Sequence, residues 1–246
     1  MVLKTKTDLE TMRRAGKIVA SLLALMEKEA RPGVTTRQLD EIAERFIRSQ
    51  GAEPAFKGYH DYPATICASV NEEVVHGIPG SKILQDGDIV GIDVGVKLDG
   101  YFSDAARTFA IGKVDEQSLR LIETTREALK RGIEKAVEGN RLSDISHAVQ
   151  DYAEKRGYSV VRKYTGHGIG HNLHEDPQVP NFGRPNQGPR LVEGMALAIE
   201  PMLNAGTHEV EELSDGWTVV TKDGKRSAHF EQSIVVGREK AEILTE

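Results

Sequence analysis

Residues 88–109 leave this chain few ways to fold. Asp88-Ile89-Val90-Gly91-Ile92-Asp93-Val94-Gly95-Val96-Lys97 reads as a strand buried on both faces. Asp99-Gly100 then supplies two residues that tolerate the positive φ of a tight hairpin turn. The return segment Phe102–Phe109 is therefore expected to pair antiparallel with the first. With Leu98 opposite Tyr101, Asp93 falls opposite Ala106, and Asp104 lands on the same face, diagonal to Asp93. Diagonal neighbours lie about 7–8 Å apart at the backbone, within reach of a shared ion. A carboxylate among so many aliphatic residues is costly unless it is paired or holds a metal. On the hairpin alone, two surface aspartates on an exposed face is the blander alternative. A one-residue bulge would separate the two carboxylates.

Helical patterns precede and follow the hairpin. Thr7-Asp8-Leu9-Glu10 fits a capping box, after which Leu9, Met12, Val19, Leu22, Leu23 and Met26 recur at helical spacing as far as Pro32-Gly33. Thr35 to Gln38 caps a second pattern through Leu39, Ile42, Ala43, Phe46 and Ile47, with Gly51 beyond. After residue 112 the plan returns: Leu119, Ile122, Leu129, Ile133 and Val137 lead to Gly139, then Ile145, Val149, Tyr152 and Ala153 lead to Gly157. A shift of 106 residues carries Gly33 onto Gly139, Leu39 onto Ile145 and Gly51 onto Gly157. Two ordinary amphipathic helices would also produce such a match. The alternative is an internal duplication, each half being two helices followed by strands. No Pro/Ser-rich linker intervenes, so residues 1–246 are expected to form a single domain with halves of about 7–112 and 113–237.

Charge and composition narrow the function. Lys and Arg number 32 against 38 Asp and Glu, a net charge of −6, which argues against a surface built to neutralise nucleic-acid phosphates. The one cysteine, Cys67, cannot form an intrachain disulfide. No apolar run approaches the roughly 18–20 residues of a membrane span, and the N-terminus lacks a secretory pattern. A soluble protein of a reducing compartment is expected.

The second half adds Gly166-His167-Gly168-Ile169-Gly170-His171-Asn172-Leu173-His174-Glu175-Asp176-Pro177. Its glycines resemble a phosphate loop, but no Lys-Ser/Thr follows. His174-Glu175 begins like a zinc-protease helix, but Pro177 stands near the place where the second histidine belongs. Glu200 and Glu231 each stand in an apolar, strand-like stretch, where one such residue alone reads as a solvated position or a cap. Asp93, Asp104, Glu200 and Glu231 together with His167 make an oxygen-rich set suited to Mn, Fe, Co or Zn.

At this point the constellation resembles the methionine aminopeptidases, specifically the bacterial type I members of the pita-bread metallopeptidases. The resemblance runs from Thr7 to about Val236 and rests on ordered motifs: Ser69-Val70-Asn71-Glu72 with His76-Gly77-Ile78-Pro79; Asp93 and Asp104; Gly166–Gly170 with His174-Glu175; Ile199-Glu200-Pro201-Met202; and Glu231. It implies an α+β pita-bread fold, two pseudo-symmetric halves around a central curved antiparallel sheet with helices packed outside. By position, Asp93, Asp104, His167, Glu200 and Glu231 would ligate two divalent ions, with Asp104 and Glu231 bridging. The implied reaction removes the N-terminal methionine of nascent proteins and peptides with a small second residue, through attack of a metal-bridging water on the first peptide bond. Glu200 would shuttle the proton, and His76 and His174 would bind the substrate backbone and stabilise developing charge. Phe56, Tyr59, Tyr62, Cys67, Leu173 and Trp217 would line the methionine pocket, although core packing alone would also explain each aromatic. Cys67 reads as a wall residue, since no basic partner is apparent.

The chain departs from the family at Leu173, where an aromatic or Met is frequent, at His171, where Arg is, and at Phe102-Ser103, where a His-Gly pair is common. These positions bear on pocket shape. Two rivals stand beside this reading: a proline-specific relative, which usually brings an additional N-terminal domain, and a non-catalytic binding protein, which characteristically loses ligands. The resemblance further implies a cytoplasmic, monomeric enzyme with no membrane or specific nucleic-acid partner. Met1-Val2 would itself be a suitable substrate start. Arg13, Arg14 and Lys17 offer either a basic patch for transient ribosome contact or a solvated helix face.

Overall fold

The computed structural model describes residues 4–246, so the Met1-Val2 start lies outside the described residues. The first helix, α1 (Lys6–Glu29), turns Met12, Ala15, Val19, Leu22, Leu23 and Met26 inward. Its capping box is formed by Thr5 and Asp8, two residues before the expected Thr7–Glu10 pair. Both spacings satisfy the rule. The earlier one prevails because Asp8 is also held from outside the helix by the Tyr101 hydroxyl, at 2.6 Å. The second helix, α2 (Thr36–Ser49), does use the Thr35–Gln38 box. Asp115 caps α3 (Glu116–Ile133), which ends a turn and a half short of the expected Gly139 and leaves Leu119 exposed. The fourth helix, α4, spans Leu142–Glu154.

Local architecture repeats along the chain. The starts of α2 and α4, Thr36 and Leu142, are 106 residues apart, and Gly33 and Gly139 share a φ of +91°. The Gly33 N–H donates to Leu84 O and the Gly139 N–H to Leu191 O. Gly87, at φ +96°, donates to Ile111 O, and Gly194, at φ +88°, donates to Val236 O. The segment Leu84–Asp93 therefore corresponds to Leu191–Glu200, which puts the carboxylates of Asp93 and Glu200 at equivalent positions.

The hairpin has the expected register, with Leu98 facing Tyr101, Asp93 facing Ala106 and Gly95 facing Asp104. Ile89–Leu98 pairs along its other edge with Ile66–Val70 and with Glu53–Pro54. A five-stranded sheet is centred on Ala196–Ile199, flanked by Gly166–Gly168 and Gln232–Val235. Every paired strand among the described residues is antiparallel to its neighbour.

The hairpin and the five-stranded sheet meet where the Glu231 N–H donates to Ala106 O at 2.9 Å, and alongside, Thr108 Oγ1 bonds both N–H and carbonyl of His229 in Ser227–His229, a strand of a separate three-stranded sheet. Helices α1 and α2 cover the first sheet through Val19, Leu23, Ile47 and Ile92, while α3 and α4 cover the second through Leu129, Ile145, Leu197 and Ile199. Both helical layers lie outside, and the seam between the sheets is left for polar groups. No helix among the described residues is long and apolar enough to cross a membrane. On α1, Arg13 pairs with Glu242 and Arg14 with Asp99, so two of the three candidate basic-patch residues are neutralised within the chain.

Candidate metal centre and substrate pocket

The seam collects the acidic residues. Asp93 and Asp104 come from the hairpin; Glu231 lies at the entry to Gln232–Val235, Glu200 just past Ala196–Ile199, and His167 in the neighbouring strand. Asp104, His167 and Glu231 are buried, each offering a ligand atom within 4.8 Å of the others. Asp93 and Glu200 open onto the same cavity, and Asp93 Oδ1 has no hydrogen-bond partner. Four carboxylates in one enclosed space repel. Burial, and then the charge of Asp104, pushes Asp93 well above its ordinary range; burial followed by the neighbouring carboxylates does the same to Glu200 and Glu231. Burial raises Asp104 to about 6, opposed by the Ser233 hydroxyl, which donates to Oδ1 at 2.9 Å.

His167 shows what such a site is shaped for. Its Nδ1 lies 2.9 Å from Gly168 O, and a carbonyl can only accept, so Nδ1 carries the proton. Burial lowers the imidazole to about 4, which keeps the ring neutral. The Nε2 lone pair then faces Asp104 Oδ2 at 3.5 Å and Glu200 Oε1 at 3.6 Å. Lone pairs of the imidazole and of two carboxyl groups thus converge on one point. A divalent cation fits that donor set, and a backbone carbonyl fixing the tautomer of a ligating histidine is the usual outer-shell arrangement.

Beside the acids lies a cavity of about 210 Å³. Phe56, Tyr59, Tyr62, Cys67, Leu173 and Trp217 line it together with His76, His174 and the five acidic or imidazole groups above. All thirteen expected site residues thus face one space, and His60 is the further lining residue that the sequence reading missed. Tyr62 is a rigid wall: its hydroxyl donates toward Ile66 O and Gly77 O, and its ring meets Trp217 edge-on at 5.0 Å. Burial pushes the Cys67 thiol well up, so it is a protonated wall group. His76, at φ +60°, stands edge-on to Tyr164 and Trp217. Burial, and then the neighbouring imidazole, lowers both His76 and His174 to about 4. The Tyr59 hydroxyl lies 2.7 Å from His174 Nδ1. A larger groove of about 810 Å³ beside α3 is lined by Ile122, Ile133 and Ile243 among charged residues, and holds none of these acidic or imidazole groups.

Two more polar residues belong to the centre and were not anticipated. Ser233 fixes Asp104 as described. His229 is buried, its Nε2 lacks a hydrogen-bond partner, and Glu200 Oε2 lies 3.7 Å away. In Ala228-His229-Phe230-Glu231, the period-two alternation of a strand already puts His229 on the face of Glu231. Ser233 follows at the same interval.

The model of metallopeptidase family M24 matches residues 10–238. A methionine aminopeptidase of Clostridium acetobutylicum is 54% identical over all of this chain and 98% of its own length. The crystal structure of methionine aminopeptidase from Rickettsia prowazekii superposes with a TM-score of 0.99 at 44% identity, each chain fully covered. The prolidase from Pyrococcus furiosus shares the fold alone, with a TM-score of 0.81 at 24% identity over 65% of its length.

Proposed function

The chain belongs to metallopeptidase family M24 and removes N-terminal methionine in a metal-dependent reaction, and from that premise we propose that Asp93, Asp104, His167, Glu200 and Glu231 would hold two divalent ions. The observation that carries this assignment is the unprotonated Nε2 of His167 facing two carboxylates. Ions held there would lower the pKa of a water and polarise the scissile carbonyl. Mn, Fe, Co and Zn all suit the donors.

The remaining roles fall to this chain's own side chains. Glu200, whose carboxylate burial makes basic, takes the proton from the attacking water and passes it to the leaving amine nitrogen. In this reading the Tyr59 hydroxyl, 2.7 Å from His174 Nδ1, is the donor, so that the proton of the neutral ring sits on Nε2, directed at the substrate carbonyl oxygen as charge develops there. His76 holds the peptide backbone. Phe56, Tyr62, Cys67, Leu173 and Trp217 enclose the methionine side chain, whose thioether packs well against aromatic edges. We read the substrates as nascent polypeptides with a small second residue, the place of work as the cytoplasm and the working unit as a monomer. Residues 1–246 act as one catalytic domain of two pseudo-symmetric halves, a reading supported by the repeated hydrogen bonds of Gly33 and Gly139 and of Gly87 and Gly194.

Metal-stripped protein is expected to release nothing from Met-Ala-Ser, and protein reloaded with Mn or Co to release methionine while leaving Pro-Ala-Ser intact. Release of proline, or no cleavage by reloaded protein, would overturn the assignment. Replacing His174 with alanine is expected to lower kcat by about 10²–10³-fold, the loss typical of a donor to a developing oxyanion. Tyr59→Phe, which frees the tautomer but keeps the ring, should lower kcat less. Equal losses for the two variants would show that Tyr59 does more than orient the imidazole.

A further inference from the structure

The loop that carries His174 is held from behind by a residue far away in the sequence. Lys4 Nζ lies 2.8 Å from Glu175 Oε2, with only 2% of the lysine side chain exposed. The second oxygen of the same carboxylate, Oε1, accepts the N–H groups of His171 at 2.8 Å and Asn172 at 3.2 Å. One carboxylate therefore closes the loop on itself and fastens it to the segment leading into α1. That segment is itself fixed, because the Lys4 N–H donates to Gly194 O and Thr5 caps the helix. Gly170 makes room for the arrangement: a Cβ there would collide with Lys4 Nζ and Cε and crowd Glu175 Oε1. The loop's other end is pinned by the Phe102 N–H, which donates to Gly170 O at 2.8 Å. Between these ties lie Leu173 and His174, both lining the cavity.

Stability is a poor reason for such a pair. Burying two charges costs most of what their attraction returns, and an aliphatic side chain of similar size often does as well or better. What an apolar residue does not do is hold the Glu175 carboxylate in the one orientation that accepts from His171 and Asn172.

We propose that Lys4 is a positioning residue for His174, acting through Glu175 on the loop 170–175. This rests on the reading of His174 as the group that meets the substrate carbonyl. In metal-loaded enzyme acting on Met-Ala-Ser, Lys4→Met is expected to lower kcat by about 10–100-fold, as small misplacements of reacting groups do. KM should change by less than kcat, because Leu173 is the only pocket-wall residue on the loop, and the Mn dissociation constant should not change, since no proposed ligand lies on it. Deuterium exchange at the His171 and Asn172 amides should accelerate. Because Lys4→Met leaves the part-buried Glu175 carboxylate without its cation and lowers stability, the Lys4→Met/Glu175→Gln double variant serves as a second test. It removes the stranded charge, and its kcat should match that of Lys4→Met instead of falling by the product of the two single effects. A lower melting temperature with unchanged kcat in both variants would overturn the proposal. So would unchanged exchange at the two amides. Wild-type activity in His174→Ala, measured alongside, would remove the underlying reading instead.

Discussion

Asp104→Asn is expected to lower kcat/KM for Met-Ala-Ser by at least about 10³-fold, the several kcal/mol that metal-ion catalysis supplies, and bound Mn should fall with it. Asp104 is the residue on which the proposed centre depends most. Its Oδ1 accepts from Ser233, while its Oδ2 faces His167 Nε2 at 3.5 Å. Asparagine keeps the size but loses the charge and one of the two anionic oxygens. The same substitution should act on stability with the opposite sign. In metal-stripped protein it removes one of four mutually repelling carboxylates, so Asp104→Asn should melt higher than the parent at neutral pH. Activity and metal-free stability moving in opposite directions is the signature to look for. If the variant keeps its Mn and its activity, Asp104 is not a ligand.

Removing the metal should also reverse the usual pH dependence of stability for an acidic protein. Burial raises Asp104 to about 6, and raises Asp93, Glu200 and Glu231 well above their ordinary range. The metal-free fold thus keeps protons that the unfolded chain releases near pH 4, and the native state binds more protons than the unfolded one. Stability contributed by these groups is full below the unfolded value and is lost as pH rises through the folded ones. The lowered imidazoles of His76, His167, His174 and His229 act with the opposite sign until the unfolded histidines lose their protons near pH 6.5, so it is between pH 7 and 8 that metal-stripped protein should melt at progressively lower temperature. Added Mn competes with those protons, so its stabilising effect should grow over the same range. At about a thousandfold excess over the dissociation constant, binding contributes about 4 kcal/mol, or about 8–16 °C in melting temperature for a chain of this size. Scanning fluorimetry with and without Mn across that range is the measurement. A metal-induced shift independent of pH would mean that the ion does not bind through these carboxylates.

What could be read in advance was whatever local rules govern. The hairpin register followed from Asp99-Gly100 and strand alternation, and with it the shared face of Asp93 and Asp104. The α2 cap followed from Thr35 and Gln38. Local rules failed where two solutions competed. Thr5 and Thr7 both begin a capping box, and the choice depended on the distant hydroxyl of Tyr101. They were silent where partners come from different strands: Ser233 on Asp104, His229 beside Glu200, and Tyr59 on His174 are meetings between elements. The Leu84–Asp93 and Leu191–Glu200 correspondence was present in the letters but too short to notice without the matched backbone bonds of Gly87 and Gly194.

That correspondence bears on how the two proposed ion positions would differ. Two identical halves related by a twofold axis would surround their ions with identical donors, and the two positions would have to fill equally. A single chain is under no such obligation. Asp93 and Glu200 are counterparts across the seam, whereas His167 is the one imidazole in the assigned ligand set and comes from the second half alone. In the proposed centre the position near His167 would have a softer, neutral donor, and its opposite number only anionic oxygen. That departure from symmetry would make the two proposed positions chemically distinct, so they are expected to take up cations in sequence and with different preferences among them.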